Sequence, residues 1–353
     1  MTSGSTLSVV EARSEFASGR GYLAACSVGI PTRVTVAALT ADAVAWGQGK
    51  ASPVRYGVIA DKVREVYAGI VGVTPDRVAI GSQVSVMAGL IAASVPDGAE
   101  VVCVEGDFSS MVFPFLTQRS RGIIVRHVPL RDLAASITER TWLAAFSLVQ
   151  SATGALADID DILSVSARHG THTFCDTTQA VGWLPTDAAR FDATACHAYK
   201  WLCSPRGAAF LTLSPGFEAL LAPAQAGWYA GDDPWASCYG PEMNLASDAR
   251  RFDVSPAWPA WVGAGAALDL FARLDIGQAR EHAVRLGDSF CDGLGRERLG
   301  QAIVTWPDLS GDAVALLSAA GITASSRAGR ARVAFHLWND EDDVVDALRV
   351  LGR

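Results

Sequence analysis

Between residues 78 and 213 the chain alternates short apolar, β-branched runs with longer stretches whose apolar positions recur at helical spacing. The runs at 78–81, 101–105, 123–128, 142–149, 171–175, 193–197 and 208–213 read as strands, and 85–94, 109–119 and 159–169 as helices. Strands that take turns with helices predict a mostly parallel sheet covered by helices, because parallel neighbours need a crossover between them. From 222 to 259 the periodicity lapses, and Trp228, Asp232, Asp233, Pro234, Trp235 and Tyr239 typify the composition. An irregular stretch of that length is usually functional or an interface. Beyond it, 261–274 reads as a long apolar helix. A further α/β unit then ends in a strand at 331–336 and a helix at 341–351.

Composition narrows the class. Of 353 residues, 50% are hydrophobic and 19% charged, which supplies a sizeable core and excludes a disordered, collagen-like or coiled-coil chain. A net charge of -8 argues against nucleic acid or an anionic membrane surface as partner, since either calls for a basic patch. A small molecule is the expected ligand. No apolar run approaches the roughly 18 residues of a membrane span, and Arg13 and Glu15 lie where a secretory leader would be apolar. The seven cysteines are scattered without a CxxC pair, so reduced thiols and a cytoplasmic location are expected.

Only three of the 29 basic residues are lysines, Lys50, Lys62 and Lys200, so chemistry that needs an amine has few candidates. Lys200 alone sits in an apolar context, at the end of the strand 193–197. Burial disfavours the ammonium form and makes such an amine nucleophilic near neutrality. The strand at 171–175 runs into Asp176, which places a carboxylate at the carboxyl end of a parallel strand, where α/β sheets bind ligands. A buried lysine and a carboxylate one or two strands apart suit pyridoxal phosphate: the amine condenses with its aldehyde, and the acid keeps its ring nitrogen protonated. Gly81, Ser82 and Gln83 follow a strand and open a helix, a place for an anion against the positive helix end.

With these motifs in this order, the chain resembles the class V aminotransferase family of fold-type I pyridoxal-phosphate enzymes, which includes cysteine desulfurases, kynureninases and isopenicillin N epimerase-like proteins. The likeness runs from about Tyr22 to the C-terminus. It implies a mostly parallel seven-stranded sheet flanked by helices. It also implies an N-terminal arm with part of the small domain over 1–40, a large cofactor-binding domain over 41–255 and a smaller C-terminal α+β domain over 256–353. Ser82 and Gln83 resemble the family's phosphate-binding turn, and Phe108 the aromatic that stacks on the cofactor ring. Ser151 stands in the place of a usual asparagine near cofactor or substrate. Asp176 and Gln179 match the contacts to the ring nitrogen and the phenolic oxygen. His197 matches a phosphate-binding serine and Lys200 the cofactor-bearing lysine. Ser255 stands for a threonine that reaches the phosphate of the neighbouring subunit, which implies a homodimer with the site at its interface. Arg332, in competition with Arg327 and Arg330, matches the arginine that clamps the substrate carboxylate, a task suited to a forked guanidinium.

Departures from the pattern bear on the reaction. No cysteine follows Cys291, so the mobile-loop thiol of a desulfurase persulfide relay has no counterpart, and Tyr199 replaces the histidine that often precedes the lysine. The expected function is removal of an amino acid's Cα proton, leading to transamination, epimerisation or Cβ elimination. The alternatives are a cysteine desulfurase or C–S lyase acting on a cysteine-derived substrate, and a catalytically silent binding protein on the same fold.

Overall fold

The computed structural model describes residues 6–353. Seven strands form the main sheet: β1 (Val78–Gly81), β2 (Glu100–Val104), β3 (Ile124–Val128), β4 (Thr141–Ser147), β5 (His172–Asp176), β6 (Ala193–His197) and β7 (Ala209–Leu213). Their order is β1-β7-β6-β5-β4-β2-β3. The run from β6 to β3 is parallel throughout, and β7 lies antiparallel to both of its neighbours. Both faces of this sheet are covered. Val102, Val104, Phe146, Cys175 and Phe210 pack on one side with the helices Pro53–Ile70, Ile159–His169 and Trp258–Arg273. The alternate residues Val101, Cys103, Ala145, Phe174 and Leu211 pack on the other with Val84–Ser94 and Ser109–Leu116. Burial on both faces explains why the central strands read as continuous apolar runs.

The expected strands and helices are present, with ends displaced by a few residues. The helix from Ser109 stops at Leu116 because Pro114 removes a backbone donor; the chain then tightens into a 3-10 turn and ends at Gly122, whose φ of 77° suits glycine. A second sheet has the antiparallel order β8-β10-β9, from β8 (Ile303–Pro307), β9 (Ser325–Arg327) and β10 (Arg330–Ala334). The N-terminal segment joins it: Leu23 donates to Thr323 O at 2.9 Å and accepts from Ala334 N at 2.8 Å.

That segment then crosses to the main sheet. Gly29 N donates to Tyr199 O at 2.9 Å, and a Cβ at Gly29 would collide with the backbone of Lys200. Parallel pairing sets Ser147 beside Asp176 and Asp176 beside Ala195, so β4, β5 and β6 deliver their last residues to one edge of the sheet. Residues 22–30 and β10 close over that edge.

Candidate active site

At this edge lies a cavity of about 160 Å3. Lys200 lies just beyond the end of β6 and is 6% exposed; its Nζ is 5.5 Å from the centre of the Phe108 ring and 5.6 Å from that of Tyr199. Burial lowers its pKa from 10.5 to about 8, although nearby Asp176 pulls the other way. Asp176 ends β5 and is equally buried, which pushes its pKa up, while the Thr178 N–H at 2.8 Å from Oδ1 partly restores the charged form.

His197 ends β6. Burial, and then the positive charges of Arg206 and Lys200, push its pKa down to about 3, so the imidazole is neutral. Its backbone N–H donates to Thr178 Oγ1 at 3.0 Å, yet the buried Nε2 has no hydrogen-bond partner. A buried polar atom left alone beside a cavity is costly, and it marks where a ligand atom would bind. Phe108 is 44% exposed, with the Lys200 amine over its ring. Asp107 braces its loop, accepting from Phe108 N at 2.7 Å, Ser147 N at 2.8 Å and Ser147 Oγ at 2.5 Å.

Of the residues singled out in the sequence, Gln83, Phe108, Ser151, Asp176, Gln179, His197 and Lys200 line the cavity together. Ser82, Ser255 and Arg332 do not. Ser82 lies one residue before the lining, and Ser255 is exposed on the segment after β7. Arg332, 1% exposed, stands behind Ser151, donating from Nη1 to Ser151 O and to Ser151 Oγ, the latter at 3.1 Å. Arg327 is exposed on β9, and Arg330 is engaged with Thr305. Trp228 packs on Trp235 and Trp258 stacks on Tyr56, both away from the cavity.

Sequence reasoning passed over Thr178, Asp107 and Arg206. The first two flank residues it did single out, and adjacency was the available signal. Arg206 lies six residues past the lysine, with its guanidinium 5.1 Å from the centre of the Tyr199 ring.

A doubly covered α/β sheet with a buried amine and a buried acid at the ends of adjacent parallel strands defines a class of cofactor-dependent fold. The aminotransferase class-V family matches residues 70–306, and the chain belongs to that family. Among curated relatives, isopenicillin N epimerase of Amycolatopsis lactamdurans is 28% identical over 62% of this chain and 60% of its own length. Kynureninase of Deinococcus radiodurans is 27% identical over 69% of this chain and 62% of its own. The chain thus spans about 60% of the length of the epimerase. Among solved structures, the cystine C-S lyase C-DES in complex with cysteine persulfide superimposes with a TM-score of 0.85 at 21% identity, over 94% of this chain and 97% of that one. A cysteine desulfurase of Escherichia coli gives 0.84 at 17% identity, over 98% of both chains. These likenesses establish the fold.

Proposed function

We propose that this chain is a pyridoxal-phosphate enzyme that removes the Cα proton of an amino acid. The observation that carries the reading is that the Lys200 amine, near pKa 8, and the buried Asp176 carboxylate face one cavity. The partly exposed ring of Phe108 and the unpartnered His197 Nε2 fit a flat ring bearing a phosphate. When bound, the cofactor supplies an electron-accepting ring. Lys200 Nζ holds it and moves the Cα proton; the low pKa gives that amine a free-base fraction at neutral pH. Asp176 holds a proton on the ring nitrogen. Neutral His197 and Gln83, with the helix opening at Val84, hold the phosphate.

Transamination, epimerisation and Cβ elimination, C–S cleavage included, share this proton removal. They part afterwards according to which bond the pocket aligns. Among the described residues no cysteine lines the cavity, so a persulfide relay lacks its acceptor. We further propose a homodimer. Val34, Val36, Val44 and Trp46 on the helix Arg33–Gly47, with Val54 and Val58 on the next, stay about half exposed or more, an apolar area that a second copy would cover.

The test is incubation of the cofactor-loaded protein with a panel of amino acids in D2O, scoring Cα-deuterium exchange, 2-oxo acid, pyruvate with ammonia, and sulfide separately. Exchange on at least one amino acid is expected. Lys200→Ala should abolish it with the fold retained by circular dichroism; undiminished exchange in that variant would remove the lysine from the chemistry. Sulfide with alanine from cysteine would restore the relay.

A further inference from the structure

β1 is an edge of the main sheet, with a strand, β7, on one side only. The outward N–H and C=O groups of an edge strand must be satisfied by something other than a strand. Here Arg64 and the segment after β7 do so. Arg64, on the helix Pro53–Ile70, donates from Nη1 to Val78 O at 2.5 Å. Asp253 Oδ1 accepts from Ile80 N at 2.7 Å, and Val254 N donates to Ile80 O at 3.2 Å. Arg64 in turn forks onto that carboxylate, Nη1 to Oδ1 at 3.1 Å and Nη2 to Oδ2 at 2.6 Å. Both side chains are buried.

A buried ion pair is a weak source of stability, since well-packed apolar residues of similar volume often do as well. What apolar residues cannot do is hold the polar groups of a strand end in place. Three residues beyond Ile80 stands Gln83, extended and without a side-chain cap bond, and the helix Val84–Ser94 opens after it. Gln83 and Val84 line the cavity. The first N–H groups of such a helix have no partner within it and suit an anion. The link between strand and helix is tight. A Cβ at Gly81 would stand 3.1 Å from Met87 Cε and 3.5 Å from Val254 Cγ2, so the turn is packed between the helix it opens and the segment that Asp253 anchors.

We propose that Asp253 is a positioning residue for the anion-binding turn at residues 81–84, acting through the Ile80 N–H, with Arg64 orienting its carboxylate. Neither side chain lines the cavity, so both act at one remove from the phosphate. The assignment rests on the cofactor reading above and adds to it what sets the place of the turn.

The experiment compares two aldehydes that differ in the anion, pyridoxal phosphate and pyridoxal, titrated by visible absorbance into cofactor-free protein at pH 8. Burial pushes the Asp253 pKa up to about 6 against the pull of Arg64, so the carboxylate is ionised there. Two double variants both discard the buried charges. Arg64→Met with Asp253→Leu also discards the acceptor for Ile80 N; it should raise the Kd of pyridoxal phosphate about tenfold and leave that of pyridoxal in place. Arg64→Met with Asp253→Asn keeps an amide oxygen for that N–H and should recover most of the loss. Arg64→Lys keeps the charge and gives up the fork. It should weaken pyridoxal phosphate about threefold and spare pyridoxal, and it decides the question if circular dichroism shows the leucine variant unfolded. Equal losses for both aldehydes would make the pair a prop of the whole site and overturn the proposal. So would equal affinities in the leucine and asparagine variants, or a pyridoxal phosphate Kd that stays at the wild-type value. Wild type that gives no coloured complex with either aldehyde would instead overturn the cofactor reading, and the assignment with it.

Discussion

Lys200 is held where a charge is unwelcome, and that has a cost when nothing is bound. Its folded pKa of about 8 lies below the ordinary 10.5. Between those values the unfolded chain binds more protons than the folded one, so stability rises as pH climbs through that window. Below it, the buried ammonium costs the cofactor-free protein a few kcal/mol, roughly 1.4 per pKa unit. Lys200→Met should therefore raise the Tm of cofactor-free protein at pH 7, with the advantage shrinking toward pH 10; a constant gap across that range would refute the buried charge. Neutral His197, with its pKa near 3 against an ordinary 6.5, adds a second limb, stability falling as pH drops from about 6.5 toward 3. Cofactor loading should accelerate toward pH 8 as the amine deprotonates. Lys200 and Asp176 were legible in the sequence because amines are scarce and both follow apolar strands. The surroundings of Arg332 were not, since its serine partners lie up to 305 positions away and no local pattern encodes them.

Among elements, strands buried on both faces were readable from short apolar runs. The helix Arg33–Gly47 was not, because its apolar residues lie all round it and give no one-sided repeat. Also hidden was the tie between the segment after β7 and β1. Asp253, 1% exposed, pairs with Arg64 across 2.6 Å and accepts from Ile80 N at 2.7 Å. Removing one member strands the other as an uncompensated buried charge, so Asp253→Ala should lower unfolding free energy by about 3–5 kcal/mol in denaturant titration. Exchanging both Arg64 and Asp253 for apolar residues of similar volume should cost much less. If the single and double variants proved equal, pairing would not be what stabilises this junction. Gly29 offers a sharper probe of the site's lid. Alanine there would press on the Lys200 backbone, so Gly29→Ala should weaken cofactor affinity about tenfold or more by absorbance titration.

For the molecule as a whole, the proposed dimer gives a direct expectation. Trp46, 67% exposed, and Val58, 65% exposed, lie on neighbouring helices. Trp46→Glu with Val58→Glu should shift the scattering mass from two chains toward one, because charge would have to be buried in the contact. A wild-type mass of one chain would refute the pairing.

The crossing of residues 22–30 between β10 and the lysine loop sets an order of assembly. A nascent chain leaving the ribosome presents Ser27 well before Arg332, which lies 305 positions further on. Until β10 emerges, the first segment has no strand to lie against and the rim of the cavity is unfinished. Folding of the central sheet can run alongside translation. The enclosed pocket matures only once β10 is out, so the cofactor would meet a chain synthesised at least that far.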